Sequence, residues 1–297
     1  VRRPGGPASG QPVQVLDGGL SNELAAQGCD LSGDLWSARL LAEDPARIRA
    51  AHAAYLRAGA RVLITASYQA SFEGFARHGI PRTEAAELFG RSVALARQAA
   101  AGRRDVRVAA SLGPYGAVQA DGGEYRGRYG LSVAELERFH RPRVQALAAA
   151  GPDLLALETV PDVTEAEAML RAVRGCGVPV WLSYTVAGGR TRAGQPLAEA
   201  FALAAGEDQV AYVGVNCCDP GEVTEAVALA AEVSGKPVVA YPNAGQRWDA
   251  RARRFRGAPA FRPEAALAWR DAGARLIGGC CQVGPRQIAA LAAVLGA

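Results

Sequence analysis

Three features of this 297-residue chain predict an α/β fold built as a single (β/α)8 TIM barrel. Eight short β-rich runs alternate with longer Ala-, Leu- and Arg-rich stretches. Most of these runs are apolar without a break, the pattern of parallel strands covered on both faces. Polar and metal-capable residues stand at the end of nearly every run, as they do at the catalytic rim of such barrels. The competing arrangement is an open doubly wound sheet. No GxGxxG opens a helix after the first strand, which weakens the dinucleotide-binding version. A hydrophobic share of 49% is enough for a large core.

Residues 1–12, VRRPGGPASGQP, read as a disordered arm, and residues 13–297 as the barrel domain. The predicted strands are VQVLDGG from Val13, RVLITAS from Arg61, VRVAASLG from Val106 and DLLALETV from Asp153. They continue with PVWLSYTV from Pro179, VAYVGVNC from Val210, PVVAYPNAG from Pro237 and RLIGGCC from Arg275. Helices fill the gaps. Asp44-Pro45 and Asp219-Pro220 each place an N-cap before a proline at the first helical position. Ser132 with Glu135 fits a capping box. Ile48, Tyr55 and Leu56 share one helical face that ends before Gly59. Weaker helical patterns start at Thr83, Val163, Leu197, Arg262 and Gly284. Only the first crossover reads as long, with room for two helices. No interdomain linker or solenoid-type repeat is visible.

The 33 basic and 29 acidic residues leave a net charge of +4, too mild for a nucleic-acid footprint. No apolar stretch is long enough to span a bilayer, and the first residues lack the apolar segment of a secretory signal. The cysteines are Cys29, Cys176, Cys217, Cys218, Cys280 and Cys281. They are too sparse for a disulfide framework, so a reducing, cytoplasmic setting is expected.

The strand ends carry the chemistry. Cys280 and Cys281 end strand eight, and Cys217 and Cys218 end strand six. Strands two apart in a small barrel aim side chains at one point. Three thiolates bind Zn²⁺ and leave its fourth position open, the mark of a catalytic site. Neighbouring residues on a strand face opposite ways, so Cys217 or Cys218 is the ligand, not both. Gly278 and Gly279 permit close approach and unusual backbone angles beside the cysteine pair. Buried free thiols are the alternative, and the better reading for Cys29 and Cys176. Asp17, before Gly18 and Gly19, suits a substrate ammonium, with the glycine N–H groups free for a carboxylate, or is a simple turn residue. Glu158 ends an apolar run, where a carboxylate is costly unless it meets a partner. Tyr241 and Asn243, after strand seven, are placed to orient a substrate or the residues behind it. His52, His78 and His140 fall on helices or loops away from the strand ends. The basic run RWDARARRFRG from Arg247 reads as a solvated loop, with a lid over an anionic substrate as the second reading.

These motifs together resemble one family. LDGGLSNELAAQGCDL, ITASYQAS, SLGPYGA, EYRGRYG, FHRPRVQAL, LETVPDVTEAEA, GVNC, YPNAG and ARLIGGCC are similar to segments of the homocysteine S-methyltransferases. The likeness is strongest to bacterial and plant enzymes that use S-methylmethionine. It runs from about Val13 to the C-terminus, and GVNC with GGCC is its most specific part. It implies a zinc (β/α)8 enzyme whose metal ligands, and so catalytic residues, are Cys217, Cys280 and Cys281, with Cys218 outside the set. It further implies homocysteine binding by Asp17 and Glu158 and by the backbone of Gly18 and Gly19, with Thr65, Tyr68 and Asn243 lining the pocket. Betaine-using relatives carry a longer C-terminal extension, so its absence favours a sulfonium donor and a monomer. The chain has no room for the cobalamin domains of related methionine synthases.

The implied reaction is attack of a homocysteine thiolate on the methyl of S-methylmethionine or S-adenosylmethionine. Tyr68, Tyr115, Tyr125 and Tyr129 are candidates to face the cationic donor. Methyl transfer to another thiol or selenol, or zinc and homocysteine binding without turnover, are the competing readings.

Overall fold

The computed structural model describes residues 12–31, 35, 38–249 and 254–297. The expected arm therefore lies outside the described residues as far as Gln11. Eight parallel strands form one sheet: β1 Gln14–Val15, β2 Val62–Ile64, β3 Arg107–Leu112, β4 Leu154–Val160, β5 Val180–Tyr184, β6 Val210–Asn216, β7 Val238–Tyr241 and β8 Ala274–Ile277. Their order is β1-β8-β7-β6-β5-β4-β3-β2. A parallel bridge between Leu16 and Val62 joins the two edges and closes the ring. Leu16 N donates to Ile277 O at 2.8 Å and Asp17 N to Val62 O at 3.0 Å, so the first strand is stitched on both sides.

Alternation along each strand sorts the side chains into two layers. Leu16, Val62, Ala109, Leu154, Ala156, Trp181, Val239, Tyr241 and Leu276 form one apolar cluster, the inside of the barrel. Leu155, Leu157, Leu182, Val213 and Val215 belong to the larger cluster shared with the helices. At the end away from the strand tips, the Arg107 guanidinium reaches the Gln14 side chain and the Tyr212 hydroxyl. These three polar groups satisfy one another across the barrel interior, where each alone would be costly.

The connections are helical but less uniform than expected. The first holds Leu20–Ala26, Leu40–Glu43 and Pro45–Arg57. It is not the only long one. The second carries Phe72–Arg77 and Arg82–Ala100, and the third Tyr115–Gln119 and Val133–Ala149. Extra short helices of this kind build loops on the rim, a feature periodicity does not register. The capping box is present, with Ser132 N donating to Glu135 Oε2 at 2.8 Å. Asp44 makes no capping hydrogen bond, so Pro45 alone marks that start. Asp219 caps a 3-10 turn, accepting from Gly221 N at 2.8 Å. The basic run after β7 is a hairpin of Arg247–Asp249 with Arg254–Arg256, not a plain loop, and residues 250–253 lie outside the described set. No helix among the described residues is long and apolar enough to cross a membrane.

Candidate active site

The inward rows of the strands end in polar residues. In β4 the inward series Leu154, Ala156 runs on to Glu158; in β3 Ala109 runs on to Ser111; in β5 Trp181 runs on to Ser183. Asn216 and Tyr241 complete the floor from β6 and β7. These side chains are tied together. Tyr241 OH donates to Glu158 Oε2 at 2.9 Å, and Ser111 Oγ donates to Glu158 Oε1. Trp181 Nε1 donates to Tyr241 OH at 3.0 Å. Ser183 Oγ donates to Asn216 Oδ1 at 2.8 Å, and Asn216 Nδ2 to Thr159 Oγ1 at 2.7 Å.

Above this floor three thiols converge. The Sγ atoms of Cys217, Cys280 and Cys281 lie within 4.8 Å of one another. Cys217 and Cys281 are 3.7 Å apart. The choice between Cys217 and Cys218 is made by the backbone. Strict alternation after inward Asn216 sends Cys217 outward, but Cys217 has φ 52°, the left-handed region that non-glycine residues rarely enter. That kink turns its thiol inward and leaves Cys218 in the outer apolar layer. Gln282 and Thr159, also at the rim, share the conformation with φ 65° and 59°. Such strain gathers at functional sites. Gly278 and Gly279 are different from expectation in part. Neither has positive φ. A Cβ on Gly278 would sit 2.7 Å from Asp17 O, so the glycine serves close packing of β8 on β1.

The thiols share their protons. Hydrogen bonds from Cys217 and Cys280 hold the Cys281 thiol well below the ordinary cysteine range. Hydrogen bonds to Cys217 and Cys281, with burial, push Cys280 well above it. Asn243 Oδ1 accepts from Cys281 N at 3.1 Å, and Asn243 N donates to Cys218 O at 3.0 Å. Asn243 thus braces both cysteine segments from between them. Three soft sulfur donors at this spacing, with Cys280 and Cys281 only part-buried, fit a metal ion with an open position.

Two carboxylates lie in the floor. Burial pushes Glu158 up to about 7 despite the hydrogen bonds from Ser111 and Tyr241. Burial also raises Asp17 well above the carboxylate range, against a hydrogen bond from Ile64 N at 2.8 Å to Oδ2. Its Oδ1 is buried with no partner among the described residues. An acid left in this state is poised for a cationic ligand. The glycines beside it are not both free to bind. Gly19 N donates to Val283 O at 2.9 Å. A Cβ on Gly18 would meet Val283 O at 2.2 Å, so this glycine is needed for close packing of the first turn on the segment after Cys281. Thr65 stands one step behind the cavity: its Oγ1 accepts from Ser111 N at 3.0 Å and meets Ser67 Oγ at 2.7 Å.

Of the four tyrosines, Tyr125 makes a direct contact, its hydroxyl 2.9 Å from Cys217 Sγ. Tyr68 is part-buried, and the charge of Cys217 acts on its phenol. Tyr115 and Tyr129 pack on each other instead, ring centroids 5.3 Å apart. The histidines stand aside. His52 is buried with neither ring nitrogen partnered among the described residues, His78 Nδ1 lies 3.1 Å from Gly74 O, and His140 Nε2 lies 2.9 Å from Glu165 Oε1. Cys29 and Cys176 pack against the core.

Sequence reasoning missed Ser111, Ser183, Asn216 and Glu124. Glu124, on the turn Gly123–Tyr125, is buried at 7% exposure, and burial raises its carboxyl to about 7. The signals were inside motifs already noticed, GVNC for Asn216 and EYRGRYG for Glu124.

The chain matches the homocysteine S-methyltransferase family over residues 14–295. It is 42% identical to the homocysteine S-methyltransferase of Escherichia coli (strain K12), over 95% of each chain. It is 44% identical to homocysteine S-methyltransferase 4 of Zea mays, over 98% of this chain and 90% of that one. The metallated form of the homocysteine methyltransferase MmuM from Escherichia coli superposes with a TM-score of 0.85, at 42% identity over 96% of each chain.

Proposed function

The chain belongs to the homocysteine S-methyltransferase family, and is thus a methyltransferase, and from that premise we propose a zinc enzyme that methylates homocysteine from a sulfonium donor. The donor is S-methylmethionine, with S-adenosylmethionine as the alternative sulfonium. One catalytic domain over residues 13–297 performs the reaction, as a monomer in the cytoplasm. The observation that carries this reading is the convergence of three thiols at the same strand-end rim as the buried carboxylates Asp17 and Glu158.

Cys217, Cys280 and Cys281 would hold the zinc. A bound zinc ion supplies a Lewis acid that keeps a substrate thiol, ordinarily of pKa ~8.5, deprotonated at neutral pH. Asp17 and Glu158 bind the homocysteine ammonium, Asp17 through its unpartnered Oδ1. Ser111 and Tyr241 hold the Glu158 carboxylate in place for that contact. Gly18 contributes backbone to the homocysteine carboxylate, Gly19 shapes the same turn, Thr65 supports Glu158 through Ser111, and Asn243 fixes the cysteine segments. Tyr68 lines the donor side. With both substrates held, the homocysteine sulfur forms a bond to the methyl carbon. The methyl–sulfonium bond breaks, and its electron pair stays on the donor sulfur. Two neutral thioethers result. Fixing the two sulfurs in line supplies the rate advantage of proximity.

The test is methionine formation from homocysteine by zinc-loaded protein, with S-methylmethionine, S-adenosylmethionine and betaine offered separately. Turnover with a sulfonium and its loss on chelation are expected. No turnover with any donor, or preference for another thiol or selenol in competition, overturns the reading. Sedimentation of the loaded protein checks the monomer.

A further inference from the structure

The Asp17 and Glu158 pair leaves one acid of the site without a task. Glu124 is more than nine-tenths buried, and its Oε2 has no hydrogen-bond partner among the described residues. The nearest basic residue along the chain, Arg126, is committed to Asp121 at 2.8 Å. The next residue, Tyr125, puts its hydroxyl 2.9 Å from Cys217 Sγ, so the turn Gly123–Tyr125 that carries Glu124 packs against the thiol cluster. The loop is built to bring it there. A Cβ on Gly116 would lie 2.3 Å from Gly123 C and 2.5 Å from Glu124 N. Only glycine lets the Gly123–Tyr125 turn pack so closely on the helix Tyr115–Gln119.

A buried carboxylate oxygen without a partner is costly, and a cationic ligand that met it would remove that cost. The kind of cation follows from the surroundings. Glu158 receives two hydroxyl hydrogen bonds and Asp17 one amide, an ordered setting suited to the directional N–H groups of an ammonium. Glu124 has no such framework. It is followed in the chain by Tyr125, and one side of that ring is taken by Arg192, 5.4 Å from the ring centroid. An open carboxylate oxygen next to an aromatic residue can meet a cation by charge alone, and the donor sulfonium is the cation of the proposed reaction that the strand-end acids do not take.

We propose that Glu124 is the specificity-determining counter-charge for the sulfonium centre of the methyl donor. This rests on the donor class given above. It separates the two substrates by charge type: ammonium on the strand-end acids, sulfonium on the loop acid.

Zinc-loaded wild type, Glu124→Gln and Glu124→Asp are compared in two ways. Binding of trimethylsulfonium, the bare cation, is measured by calorimetry, which needs no turnover. Michaelis constants are measured for S-methylmethionine and for homocysteine. Glu124→Gln is expected to weaken trimethylsulfonium binding and raise the donor KM by about 10-fold, the size of one charge-assisted contact. The homocysteine KM and the zinc stoichiometry stay within about two-fold in the same scale of reasoning. Glu124→Asp, which keeps the charge, restores part of the loss. Unchanged trimethylsulfonium binding in Glu124→Gln overturns the proposal. So does a raised homocysteine KM, or a loss of zinc equal to the loss of cation binding. Wild type that binds trimethylsulfonium through Glu124 but makes no methionine would sink the proposed reaction and leave this assignment standing.

Discussion

Glu158 and Glu124 are both raised to about 7, by opposite constructions. Glu158 stands on a strand, in register with the inward row of β4, and burial there is opposed by hydrogen bonds from Ser111 and Tyr241. Glu124 stands on a loop turn, and its Oε2 has no hydrogen-bond partner among the described residues. Around Glu158 the strand floor is thus a polar network, whereas the loop wall leaves one Glu124 oxygen unmet. A floor of that kind fixes one ligand in one orientation. A bare charge tolerates differently shaped cations. The difference predicts strict choice of acceptor and looser choice among sulfonium donors.

Removing the element between floor and wall gives the largest effect. Cys217→Ala is expected to drop zinc stoichiometry from one to near zero and activity by more than about 1000-fold, since a two-thiol remnant lacks the ligand count of a catalytic site. Full zinc occupancy in this variant, measured by elemental analysis, would break the assignment of the ligand set.

Glu158→Gln breaks the floor alone. The homocysteine KM should rise about 10- to 100-fold, the value of a hydrogen bond to a charged group. Stability should move the other way. The folded carboxyl ionises at about 7, above its ordinary 4.5, so burial favours its protonated form. That contribution is full below 4.5 and is lost as pH rises through 7. The metal-free variant should therefore be more stable than wild type at pH 8, by at most about 3 kcal/mol, and lose that advantage near pH 4.5. Thermal melts across this window check the sign.

Tyr125→Phe probes the wall without touching a carboxylate. Loss of the hydroxyl 2.9 Å from Cys217 Sγ should lower zinc affinity about 10-fold, read by competition with a chelator. The smallest effect at neutral pH is expected from His52→Leu, far from both regions. Burial lowers His52 from 6.5 to about 4. The folded protein keeps this ring neutral while the unfolded chain takes up a proton, so stability is lost as pH falls from 6.5 to 4. The variant should match wild type within about 1 kcal/mol at pH 7.5 and remove that acid-side decline. A decline that persists unchanged would assign it to other groups.

The barrel was legible because buried parallel strands leave apolar runs that helices do not imitate. Glu158 was legible as an acid ending such a run. Ser111, Ser183 and Asn216 were not, because small polar residues at strand ends are common and their facing emerges only from the register. The preference for Cys217 over Cys218 came from family likeness, since nothing in the residue types around Cys217 announces a left-handed backbone. Gly18 and Gly19 were read as anion-binding amides, whereas the Gly19 N–H is already bonded to Val283. Glu124 escaped because Asp121-Gly122-Gly123 reads as an ordinary solvated turn.

The single Leu16–Val62 bridge that closes the ring has a consequence for the order of assembly. The first strand meets β2 through that bridge, so its opposite edge, the one that pairs with β8, stays unsatisfied until a segment some 260 residues further along has docked (276 − 14 = 262). That same segment delivers Cys280 and Cys281 and, through Gly279 N, bonds to Asp17 O at 3.2 Å. Ring closure and completion of the three-sulfur cluster are therefore one event in folding. A chain caught before it has no way to present three thiols to one ion, and the loaded ion becomes a latch on the last seam to form.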